Sequence, residues 1–144
     1  MMAVVVPPYC NRVAPHIADQ VERLISLGIH RVAGLSADRL WTAARRTPSD
    51  AGLLVIRHDL APASVLADAL TLNGRKGFVV SDMTDVDEFL PIASIDLPAA
   101  PVYLVRDLDR GDEMANWSPD EALPAIDEAG RTPLTLTEGL HWLL

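Results

Sequence analysis

The sequence holds a single cysteine, Cys10, in 144 residues. One thiol excludes an internal disulfide framework and any cysteine-rich zinc site, and it suits a reducing compartment. Aromatic residues are also few, at 5%, with only two phenylalanines and two tyrosines beside three tryptophans. No apolar run approaches the ~18 residues of a membrane span. The N-terminal MMAVVV lacks the basic start of a secretory signal and falls short of its apolar region of ~7–15 residues. Cytoplasm is therefore the expected compartment. Positive charge is in short supply: Lys plus Arg number 12 against 20 Asp plus Glu, a net charge of −8. An acidic surface repels phosphate backbones and anionic lipid heads, so neither nucleic acid nor membrane is an expected partner.

What the chain does have is apolar mass. Hydrophobic residues make up 49% and charged ones 22%, enough for a packed core and far from the composition of disorder. The length fits one domain of ~100–200 residues, read as a single globular domain over 1–144. No repeat, low-complexity tract or linker interrupts it.

Periodicity places the elements. A short strand is expected at Ala3–Val6, stopped by Pro7-Pro8. Residues 15–27 read as an amphipathic helix, with Ile17, Val21, Leu24 and Ile25 on one face and Gly28 as its stop. A second helix opens at Ser36 as N-cap and runs to about Arg46, with Leu35 and Leu40 spaced as a hydrophobic staple. The two form a helix pair joined around Gly34. Residues 52–57 are continuously apolar, the pattern of a strand buried on both faces. A helix over 62–71 ends at Asn73-Gly74. Gly77–Val80 reads as a second strand, 84–90 as a short helix and Val102–Arg106 as a third strand, in a β-α-β-α-β order. A turn at Asp107–Gly111 leads toward an antiparallel strand near 113–117. Ser118-Pro119-Asp120-Glu121 is a capping box opening a helix that closes by Gly130, and 135–144 begins a last helix with an apolar end. The expected fold is α/β: a three- to five-stranded, mostly parallel or mixed sheet flanked by helices, with an N-terminal helix pair.

In open parallel sheets ligands bind outside the carboxyl ends of the strands. Those ends carry Arg57-His58-Asp59, Ser81-Asp82 and Arg106-Asp107. As neighbours they would form one rim, with His58, Asp59 and Asp107 as catalytic candidates and Arg57, Asp82 and Arg106 as ligand-binding candidates. The plainer account is that strands end in polar residues and that Asp favours the turns before helices. Asp107-Leu108-Asp109 is similar to the nucleophile loop of haloacid-dehalogenase-like phosphatases, but Arg110-Gly111 follows it and little chain remains for the other ligands. A tight turn explains it better. The four histidines have no metal-site spacing, no phosphate-cradling glycine loop precedes a helix, and no serine sits in a strained elbow. No metal or other cofactor is expected. A tryptophan left at the surface marks a contact patch. Trp117, Trp142 and Leu143 are the interaction candidates, the last two on the apolar carboxy-terminal turn.

Ser118-Pro119-Asp120-Glu121-Ala122-Leu123-Pro124, followed by Gly130-Arg131-Thr132-Pro133-Leu134-Thr135, resembles an actinobacterial family of uncharacterised proteins, a domain of unknown function. Gln20-Val21-Glu22-Arg23-Leu24 with Ala33-Gly34-Leu35-Ser36, and Tyr103-Leu104-Val105, are similar to the same family. The resemblance covers most of the chain and implies no activity, cofactor or catalytic residue. It implies a longer family segment beyond the Glu138-Gly139 helix.

Two functions follow as expectations. The first is a cytoplasmic accessory or protein-interaction module that binds a partner protein or its own copy as a homodimer. The second is a small-molecule-binding protein or biosynthetic enzyme with a pocket at the strand ends. Whether the chain is an enzyme stays open at this point.

Overall fold

The apolar run after Gly52 is the centre of the molecule. The computed structural model of the chain describes residues 14–47 and 51–144; the strand expected at Ala3–Val6 lies outside them. β1 (Leu53–Ile56) is buried at all four positions. It pairs antiparallel with β4 (Val102–Val105), Leu53 opposite Val105 and Ile56 opposite Val102. Alternation then sorts the side chains. Leu54, Ile56, Val102 and Leu104 face the main core, while Leu53, Val55, Tyr103 and Val105 face a smaller cluster with Leu97, Leu108 and Trp142.

Helices cover the main-core face. In α1 (Ile17–Ser26) the buried residues are Ile17, Gln20, Val21 and Leu24, an i, i+3, i+4, i+7 stripe. Gly28 takes a left-handed φ of 73° and turns the chain. One extra turn, α2 (Ile29–Val32), then stands between the two helices expected from the sequence. α3 (Ala37–Arg45) starts where Ser36 Oγ accepts the Arg39 N–H at 3.3 Å, and the staple residues Leu35 and Leu40 are both buried. α4 (Ala63–Ala69) adds the fully buried Leu66.

The mostly parallel sheet of three to five strands is not there. The described residues hold two antiparallel pairs, β1 with β4 and the short hairpin β2 (Thr71–Leu72) with β3 (Arg75–Lys76). Helices combined with small sheets keep the coarse α/β character. The difference has a physical source: burial on both faces is not peculiar to parallel strands. Here a two-stranded antiparallel ribbon is buried because helices cover one face and a loop and Trp142 cover the other. Asn73 and Gly74, with φ of 51° and 76°, form the two-residue hairpin turn joining β2 to β3. Gly77–Val80 is not a strand; a 3-10 turn at Ser81–Met83 follows it, and the expected helix over 84–90 is replaced by a 3-10 turn at Val86–Glu88. The strand expected near 113–117 is replaced by a 3-10 turn at Asp112–Met114.

α5 (Pro119–Glu128) opens on the expected box, Ser118 N–H and Oγ both donating to Glu121 Oε2 at 2.8 Å. Those two donors hold the Glu121 carboxyl below its ordinary pKa. The helix closes before Gly130, whose φ is 68°. α6 (Leu136–Leu143) has a second box that the sequence reading passed over. Thr135 N–H donates to Glu138 Oε2 at 2.8 Å and Glu138 N–H to Thr135 Oγ1 at 3.2 Å. α6 docks on β1 and α4.

Candidate functional site

The expected rim fails on topology. β1 and β4 run antiparallel, so the residues after them sit at opposite ends of the ribbon. Arg57, His58 and Asp59 follow β1 at one end, and Arg106 and Asp107 follow β4 at the other. Asp82 follows neither strand and is exposed in its 3-10 turn. At the β1 end the polar residues hold one another. Arg57 Nε and Nη2 donate to the two Asp59 carboxylate oxygens at 2.9 and 2.7 Å, and Arg57 Nη1 donates to the Ala99 carbonyl at 2.9 Å. Burial works upward on the Asp59 carboxyl, but its bonds to Arg57 outweigh that and its pKa lies below the ordinary value. His58 Nδ1 and His30 Nδ1 are buried without a hydrogen-bond partner. Among the described residues no three His, Cys, Asp or Glu side chains gather as a metal-binding set.

The β4 end keeps a groove of about 460 Å³ lined by Arg106 and Asp107 together with Arg131 and Ile126. Asp107 adopts a left-handed φ of 52°, and its carbonyl accepts from the Arg131 guanidinium. The groove also reaches Tyr103 and Glu138. Tyr103 OH donates to Glu138 Oε1 at 2.9 Å. Burial, reinforced by that carboxylate, pushes the Tyr103 pKa up, so the phenol stays a hydrogen-bond donor through the ordinary pH range.

A second group of buried polar residues closes the free edge of β1. On that edge the N–H groups of Leu54 and Ile56 pair with no strand among the described residues. Leu54 N–H donates to Gln20 Oε1 at 2.8 Å, and Gln20 Nε2 donates to the carbonyls of Gly52 at 2.8 Å and Pro15 at 2.7 Å. One side-chain amide thus stands where a neighbouring strand would. Ile56 N–H donates to His141 Nε2 at 3.2 Å, and His141 Nδ1 lies 2.8 Å from the Thr137 carbonyl. Nε2 accepts, so Nδ1 carries the proton, and the ring is the neutral Nδ1–H tautomer. Burial holds the His141 pKa below its ordinary value. A cleft of about 250 Å³ between α1 and α6 lies over this edge, bordered by Leu24, Leu53, Trp142, Leu144, Arg23 and Asp19. Trp142 is half-buried against the smaller cluster, whereas Leu143 is 70% exposed and Trp117 49%.

The third feature is an apolar strip on the surface. From Phe78 to Ile92 no residue is buried. Six large apolar side chains stand exposed there: Phe78 at 75%, Val80, Met83, Phe89 at 54%, Leu90 and Ile92. These include both phenylalanines of the chain. The strip is nevertheless anchored. Asp87 reaches back to the start of α4, its carboxylate accepting from Ser64 N–H at 2.8 Å and Ser64 Oγ at 2.6 Å. Gly77 at its head donates its N–H to the Leu70 carbonyl at 2.7 Å, and a Cβ there would collide with the Ala67 carbonyl oxygen.

The molecule is thus a helix-covered antiparallel ribbon with a surface apolar strip. Residues 23–144 match the family of unknown function DUF5701, and the chain belongs to that family. No curated protein and no solved structure matches it. No helix among the described residues is long and apolar enough to cross a membrane.

Sequence reasoning missed the bonds that Gln20, Tyr103, Glu138 and His141 make. Thr135-Leu136-Thr137-Glu138 has the spacing of a capping box and was readable. Gln20 falls inside the apolar stripe of α1, a polar residue at a core position, which is the other usable signal.

Proposed function

We propose that the protein is an interaction module that docks another protein through the strip between Phe78 and Ile92. One observation carries this reading: a chain with two phenylalanines exposes both, beside Leu90, Met83, Val80 and Ile92, on one anchored segment. Single exposed apolar residues are ordinary, whereas a concentration of large ones marks a contact surface. Aromatic residues and Met are the types enriched at the centre of interfaces. Trp117 and Leu143 add exposed apolar surface elsewhere. The test is a photo-cross-linking amino acid at position 89, with position 120 of α5 as a control, in intact cells of the source organism. A protein adduct at 89 and not at 120 is expected; equal or absent adducts overturn the reading.

The groove at the end of β4 supports a second reading, a small-molecule site. Its volume of about 460 Å³ lies inside the usual ligand range of ~300–1,000 Å³, and it includes Arg106 and Asp107. Ligand-induced stabilisation that Arg106→Ala abolishes supports it; stabilisation that survives this change places the ligand elsewhere.

A further inference from the structure

We infer that the strip's partner is a protein carrying an apolar groove bordered by Lys and Arg side chains. The inference rests on the docking reading and adds the chemistry of the occupant. Between Lys76 and Arg106 the sequence has no Lys, Arg or His, and it has five acids: Asp82, Asp85, Asp87, Glu88 and Asp96. Four of the five fall within the strip, all exposed, so every charge the strip itself carries is negative, with the exposed Arg75 and Lys76 standing just before its first residue. Only Asp87 is engaged, with Ser64; the side chains of Asp82, Asp85 and Glu88 make no hydrogen bond or ion pair among the described residues.

The two kinds of side chain divide the work. Phe78, Phe89 and Leu90 supply apolar area whose burial drives association. The carboxylates around them steer the encounter and select among apolar grooves, because an acidic or neutral rim leaves them unpaired or repelled. A second copy is the poorer occupant. A two-fold contact would set the same four acids against themselves, on a chain already at −8. Anionic lipid is excluded by the same sign of charge.

A random peptide library displayed on phage and panned against the full chain is the probe. Enriched peptides are expected to combine apolar residues with Lys or Arg and to bind more weakly as salt rises. Their affinity drops about tenfold or more for Phe78→Ser/Phe89→Ser and also for Asp85→Lys/Glu88→Lys, a pair that leaves the Asp87 anchor in place. Peptides that need Phe78 and Phe89 but carry no basic excess, or that tolerate the charge reversal, overturn the basic partner. So does self-association of the wild-type chain that the phenylalanine variant abolishes. Recovery of no strip-dependent peptide also overturns it. The cross-link at position 89 decides the docking reading separately, so the failures of the two are told apart.

Discussion

Leu53–Ile56 and Phe78–Ile92 are both rich in large apolar residues, yet the first is wholly buried and the second has no buried residue. The difference lies in their polar groups. β1 has no charge, and its backbone is closed on both edges, by β4 on one and by Gln20 and His141 on the other. In the strip Asp82, Asp85 and Glu88 interrupt the apolar residues, and burying it within this chain would strip unpaired carboxylates of water. A segment of that kind gains burial only against a surface that supplies counter-charge. The contrast extends further: from Leu70 to Leu134 Tyr103 alone is buried.

Breaking the buried side of this comparison gives the largest expected effects. Leu54→Ala or Leu66→Ala removes a fully buried side chain and is expected to cost about 2–5 kcal/mol in urea unfolding. Next come the edge closures. Gln20→Ala or His141→Ala leaves a buried N–H unpaired, for about 1–3 kcal/mol, whereas the same changes at exposed helix positions lie within about 0.5 kcal/mol. His141 also sets a pH dependence. Its folded pKa is lowered, so its contribution is complete above the unfolded value of ~6.5 and is lost as pH falls from there toward the folded pKa. Protonation puts a hydrogen on Nε2, where Ile56 N–H needs a lone pair. Unfolding followed between pH 7.5 and 5 should show this loss in the wild type and a flatter profile in His141→Ala. A smaller effect belongs to the anchor of the strip. Asp87→Ala uncaps α4 and is expected to cost about 0.5–2 kcal/mol, read in the same unfolding experiment.

How much of this was legible depended on whether the signal was local. Ser36 with its staple, Gly28, Ser118 with Glu121 and the core stripe of α1 were all readable, since caps and stripes are encoded within a few residues. The run at 53–56 announced a strand buried on both faces but not its partner, because helices over an antiparallel ribbon produce the same pattern as a parallel sheet. Gly77–Val80 has the pattern of a second such strand; its own Phe78 and Val80 are instead exposed, which composition does not reveal. The candidate site suffered most. A rim of Arg57, His58, Asp59, Asp82, Arg106 and Asp107 required parallel neighbours, and an antiparallel pairing sends its parts to opposite ends. Gln20 and His141 act across 34 and 85 residues of sequence on β1, beyond the reach of any local pattern.

The most direct test of the account pairs stability with association in Phe78→Ser/Phe89→Ser. Residues kept at the surface for a partner contribute nothing to the fold of the free chain. The account predicts unfolding free energy within about 0.5 kcal/mol of wild type together with loss of the partner adduct, read with the cross-linking amino acid moved to the exposed position 83 of the strip. Destabilisation of about 3–5 kcal/mol, as for core phenylalanines, would place the strip in the core and contradict it.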